Sequence, residues 1–143
     1  MRWRWLLSIG LVAVTLAGCG GKGPELVEVT GKVSLHGRPL EGARLVFVPA
    51  DGRPSSGITD ANGHYELKFS TAKDGALPGE HLVRISTQRR ADPDRGLKAS
   101  PERIPAKYNV QSDVKRTVDK AATVLDFEVS SAEGKVIQTR EDR

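Results

Sequence analysis

From Val27 onward apolar side chains recur at every second position, the spacing of a strand buried on one face and not that of a helix. Val27, Val29, Gly31, Val33 and Leu35 alternate with polar residues until the turn formers His36-Gly37-Arg38-Pro39 interrupt them. Ala43, Leu45 and Phe47 mark one face of a second strand, closed by Pro49 because proline cannot donate to a ladder. Asp51-Gly52-Arg53-Pro54 is a turn, and Ile58 belongs to a short third strand. Asp60-Ala61-Asn62-Gly63 then leads into a fourth, where Tyr65, Leu67 and Phe69 oppose His64, Glu66 and Lys68. After Leu77-Pro78-Gly79, Val83 and Ile85 mark a fifth strand, and Leu125, Phe127 and Val129 alternate with Asp126 and Glu128 near the end. No stretch beyond residue 24 carries a 3.6-residue apolar period. Short strands with turns at intervals of roughly ten residues predict one all-β domain, an antiparallel β-sandwich over residues 27–131.

The N-terminus reads differently. Arg2 and Arg4 precede an apolar stretch from Leu6 to Leu16, about 11 residues long and so within the roughly 7–15 of a secretory signal. A spanning helix needs about 20 apolar residues, so this one is too short to remain in a membrane. Leu16-Ala17-Gly18-Cys19 resembles the lipobox of bacterial lipoproteins. The resemblance implies diacylglycerol on the Cys19 thiol, cleavage before Cys19 and an N-acyl chain on the new terminus. Ala17 and Gly18 suit a narrow protease site, and Cys19 is the only cysteine. The expected organisation is therefore a signal-peptide helix in 1–18, a lipidated cysteine and tether in 19–26, the sandwich, and a polar tail in 132–143 that frays. The tether reaches only about 15 Å, which keeps the domain close to the membrane.

Cleavage also changes the composition. Both tryptophans and two arginines leave, lowering the formal charge from +4 to about +2, so the basic balance does not argue for a nucleic-acid partner. With Cys19 lipidated no disulfide forms within the chain, and stability rests on the core. Gly18, Gly20 and Gly23 spell a dinucleotide fingerprint, but no strand precedes them, no helix follows, and the cleavage site cuts through them.

Several segments occur in the order of a known family: Val29-Thr30-Gly31-Lys32-Val33, Gly37 to Phe47, Thr59 to Leu67, and Leu77 to Ile85. Together they resemble the carboxypeptidase-regulatory-like domain, a seven-stranded sandwich of transthyretin-like, immunoglobulin-like form. Ile104-Pro105-Ala106-Lys107-Tyr108-Asn109 and the strand around Phe127 are similar to the C-terminal part of small lipoproteins that carry it. The resemblance implies an accessory or binding module and no catalytic residues. His81 stands where such domains usually carry an aromatic residue, and is expected to be a half-buried filler.

Chemistry-bearing residues are sparse. His36, His64 and His81 have no ligand-type spacing, so no metal site is expected. Asp60-x-Asn62 begins like a calcium loop but lacks the later ligands, and an Asx turn is the expectation. Transthyretin-like hydrolases use a histidine and arginine groove between subunits and a Tyr-Arg-Gly-Ser ending, which this chain lacks. The segment Gln88–Lys107 sets Arg89, Arg90, Arg95, Lys98, Arg103 and Lys107 against Asp92, Asp94 and Glu102. It is expected to be a solvated connection, with those six cations as the candidate contact for an anionic surface. The resulting reading is a lipid-anchored, non-enzymatic cell-envelope module without a cofactor other than its lipid. Its partners are the membrane and envelope proteins or glycans, with a carbohydrate-binding module as the first alternative and a transthyretin-like hydrolase as the second.

Overall fold

The computed structural model describes residues 23–139. The apolar segment Leu6–Leu16 and the lipobox residues Leu16, Ala17, Gly18 and Cys19 lie outside the described residues. Ten strand segments follow one another: β1 (Thr30–Leu35), β2 (Arg38–Pro39), β3 (Arg44–Pro49), β4 (Ser55–Ile58), β5 (His64–Glu66), β6 (Lys68–Ser70), β7 (Lys73–Asp74), β8 (Gly79–Ser86), β9 (Lys115–Val118) and β10 (Phe127–Val129). They form two sheets. In the larger, the order is β7-β6-β4-β3-β8-β9 and every pairing is antiparallel. In the smaller, β1 is central, with β10 on one side and β5 followed by β2 on the other.

The alternating pattern places the core between these sheets. Val29, Val33, Tyr65, Phe127 and Val129 from the smaller sheet are buried against Leu45, Phe47, Val83, Ile85 and Val118 from the larger. Phe47 is the hub, with its ring 6.4 Å from Tyr65 and 6.1 Å from Phe127 in edge-on contact. Such pairs add roughly 0.5–1.5 kcal/mol beyond area burial. The β1–β2 hairpin turns through His36 (φ 53°) and Gly37 (φ 73°), both left-handed, as a two-residue turn between right-twisted strands requires. Leu67 joins the sheets at one corner. Its amide donates to the Val29 carbonyl (2.9 Å), and its carbonyl accepts from the Gly75 amide (2.7 Å).

The fourth alternating run breaks at Leu67 as the chain passes from one sheet to the other, which divides the strands into ten short segments. Three expectations are corrected. The sandwich is not wholly antiparallel, since β10 runs parallel to β1, with Val33 opposite Phe127 and Leu35 opposite Val129. β9 ends beside Gly79, at the end of the domain where β1 begins. A chain crossing between sheets at that end must re-enter alongside β1 in the same direction. Asp119 shapes the crossing by accepting from the amides of Ala121 (2.7 Å) and Ala122 (2.8 Å).

The remaining two corrections concern burial. His81 is not half-buried but 1% exposed, its ring tilted against Phe47 at 5.9 Å, with Nε2 against the Leu77 carbonyl (2.8 Å). The tail does not fray over its described length. The Lys135 carbonyl accepts from Ala106 (2.8 Å), and the Gln138 side chain pairs with both backbone groups of Glu102, at 2.9 Å each.

Candidate functional site

The two ends of the sandwich are built from different parts of the chain. At one end the tether enters: Gly23 lies against Lys73, Glu25 pairs with Lys120, and Val27 bridges to Ala76. β8 starts at this end and runs eight residues to the other, a rise of roughly 25 Å. The far end holds the segment after Ser86, the Leu40–Ala43 turn and the tail.

The segment Gln88–Lys107 is ordered by a buried carboxylate. Glu102 is 5% exposed, and its Oε1 accepts from the amides of Thr87, Arg103 and Ile104 and from the Thr87 hydroxyl, each at 3.0 Å. The Ser86 hydroxyl donates to its other oxygen. A buried carboxylate is tolerated only with such complete hydrogen bonding. Before it, Arg89 pairs with Ser100 and Asp92 with Leu97 across a small hairpin; after it, Ile104 enters the core. The segment is thus hydrogen-bonded along its length: residues 90–101 remain mostly exposed, while Glu102 and Ile104, Pro105 and Ala106 are buried. An apolar Ile104-Pro105-Ala106 within a charged stretch was the sequence signal for this inward turn; nothing comparable marked Glu102 or the two glutamines.

Five cations of that segment, Arg89, Arg90, Lys98, Arg103 and Lys107, do not form one patch. Arg89 donates from Nε to the Lys98 carbonyl (3.2 Å) and reaches toward Gly42, while Arg103 reaches the Glu41 carbonyl (3.4 Å). Arg90 lies with Arg89 in a groove of about 400 Å³ that also holds Gln138 and Thr139. Lys98 is exposed, and Arg95 closes a single helical turn with Pro93. Lys107 faces elsewhere, paired with Glu133 (2.9 Å) and lying over the Tyr108 ring.

An open groove of about 840 Å³ lies where β4 and β5 diverge, on the outer side of the corner made by Leu67. Lys32, Asp60, His64, Glu66, Lys68 and Asp126 line it. The flanking Ile58 and Val124 are 60% and 64% exposed. Asp60 is engaged in the expected Asx turn, accepting from Asn62 (2.8 Å) and His64 (3.0 Å) amides. Lys68 is paired with Asp74 at 2.7 Å, and Asp126 accepts from the Lys32 amide at 2.8 Å. Tyr65 lies beneath, its phenol held above the usual range by burial and then by the Asp126 carboxylate. This is a polar surface of mixed charge, suited to contact more than to proton transfer.

The histidines are dispersed. His36 sits in the β1–β2 turn against Ser131, His64 lines the groove, and His81 is in the core. Among the described residues no three His, Cys, Asp or Glu side chains are placed to hold a metal ion. Aromatic rings are mostly inside: Phe47, Tyr65, Tyr108 and Phe127 are buried, and Arg53 covers the half-buried Phe69 at 5.9 Å. Among the described residues no helix is long and apolar enough to cross a membrane.

Fold and surface define a two-sheet all-β domain with open polar grooves and a structured far end. Comparison with family models, curated proteins and solved structures returned no match.

Proposed function

We propose that the chain is a lipid-anchored module of the bacterial cell envelope, without catalytic activity, that binds envelope proteins or glycans through the end remote from its tether. The supporting observation is the polarity of the sandwich. The tether enters beside Lys73 and Lys120, and the longest loop and the tail are assembled roughly 25 Å away. With a tether reaching about 15 Å, the Gln88–Lys107 segment is turned away from the anchoring leaflet, so its cations serve partners beyond that leaflet. Buried aromatic rings favour polar contacts over sugar stacking.

The sandwich itself is read as transthyretin-like, of the carboxypeptidase-regulatory-like kind. If β5 and β6 are taken as one interrupted strand, they make seven with β1, β3, β4, β8, β9 and β10. The anchor is tested by mass spectrometry of the mature protein. A diacylglycerol-bearing, N-acylated Cys19 is expected, and Cys19→Ser is expected to release the domain from membranes or leave an unprocessed precursor. An unacylated wild-type N-terminus overturns the anchor.

A further inference from the structure

We propose that the outer face of the larger sheet, at the far end, binds an extended acidic peptide through Arg44 and Arg84. The pairing of β3 with β8 sets Arg44 opposite Ser86 and Val46 opposite Arg84. The two arginines are therefore diagonal neighbours on one sheet face, about 7–8 Å apart at the backbone. Both are exposed, and neither side chain makes a hydrogen bond or ion pair among the described residues. Like charges so placed repel, and a sheet that needed only solubility would sit better with a carboxylate at one of them. The one carboxylate in the recess they line, Glu102, is saturated by its five donors.

The recess has a volume of about 380 Å³, a half-buried Val46 as its floor, and Val110, 49% exposed, at its rim. Two features favour a peptide over other anions. Carboxylates on alternate residues of an extended chain point the same way and are about 6.7 Å apart, a match to the diagonal of the arginines. The border of the recess also already pairs with polypeptide backbone. The Gln88 side chain donates to the Thr139 carbonyl (2.6 Å) and accepts from the Thr139 amide (2.9 Å). Such reciprocal pairing reads backbone as a strand edge does, and a peptide lying across Arg44 and Arg84 would extend the polar track that begins at Gln88.

This gives a partner class to the far end, and rests on the binding reading above only for where the partner approaches. The test is independent of anchoring. Full chain in detergent is titrated into a fluorescein-labelled peptide of alternating aspartate and threonine, and anisotropy is read. Salt-sensitive binding is expected, weakened about tenfold in Arg44→Ser/Arg84→Ser, since two exposed charge pairs are lost. Arg38→Ser, an exposed cation elsewhere, is expected to leave it unchanged. A peptide of the same composition with its aspartates contiguous is expected to bind more weakly. The double variant is checked for a native far-ultraviolet spectrum, and both replaced side chains are solvent-facing. Equal binding by the double variant overturns the proposal, as does equal binding of an asparagine–threonine peptide. So does displacement by a sulfated polysaccharide in simple proportion to its charge, which would mean attraction without recognition of a peptide.

Discussion

The hydroxyl of Tyr65 donates to the carbonyl oxygen of Leu125 at 2.5 Å, joining two segments 60 residues apart beneath the central strand of the smaller sheet. Gly31 makes this approach possible, because a Cβ there would lie 2.0 Å from the same oxygen and 2.9 Å from the Tyr65 ring. Tyr65→Phe is expected to lose about 1–2 kcal/mol by leaving the carbonyl unpaired. Gly31→Ala is expected to cost about 3 kcal/mol, since backbone and not a movable side chain would be displaced. Urea unfolding followed by circular dichroism checks both, and an unaffected Gly31→Ala would contradict the packing of the Leu125 segment.

Glu102 is the residue on which the far end depends. Glu102→Ala leaves the amides of Thr87, Arg103 and Ile104 without their acceptor, at an expected cost of about 3 kcal/mol. Those three amides are expected to lose protection in hydrogen exchange while β3 and β8 keep theirs. Glu102→Gln retains one acceptor oxygen and is expected to fall between. Uniform loss of protection over the whole sheet would show that the segment is not a separate unit.

His36 occupies a left-handed conformation that costs a non-glycine residue roughly 1–2 kcal/mol. His36→Asn, a residue that tolerates this region, is expected to stabilise the domain by about 0.5–1 kcal/mol despite losing the exposed contact with Ser131 (2.9 Å). His36→Val is expected to destabilise it. Thermal melts of the two variants, moving in opposite directions, check the turn geometry.

Glu128 supplies a pH signature. The Ser34 hydroxyl and then the Gly37 amide hold its carboxyl below the ordinary value of 4.5. A folded-state value below the unfolded one means stability present above the unfolded value and lost as pH falls through the folded one. Acid titration by carboxyl-carbon NMR is expected to place Glu128 below the ordinary value, as it places Glu25, which Lys120 depresses likewise. Ser34→Ala is expected to move Glu128 upward, and a titration indifferent to that change would show the hydroxyl is not its partner.

How much of this could be read from the chain depended on what each residue responds to. Val29, Val33, Leu45, Phe47, Leu67, Val83 and Ile85 all lie where the two-residue period puts them, because alternation reports the face of a strand directly. Asp60 and Asn62 likewise form their turn from local chemistry alone. The period is silent about which strand lies beside which, so neither the parallel β1–β10 pair nor the change of sheet at Leu67 was visible. β9 escaped notice because Lys115, Arg116 and Thr117 are exposed and leave Val118 as its one buried residue. Glu102 and Gln138 were unreadable for a different reason. A buried carboxylate and a solvated one are the same letter, and only the donors brought to it from Ser86, Thr87, Arg103 and Ile104 tell them apart.

The chain enters the sandwich beside Lys73 and its last described residues lie beside Gln88, at opposite ends of β8. With the lipid anchor proposed above, the protein would work as a short mast: Thr139 would stand clear of the lipid by the length of the sheet plus the tether, on the order of 40 Å in all. A fluorophore at that position would sit near the limit of energy transfer to a dye in the leaflet, whereas one grafted at the Thr71–Ala72 hairpin tip would be strongly quenched. Under that anchor, affinity tags on this scaffold belong at the carboxyl end, where a bilayer would not shield them.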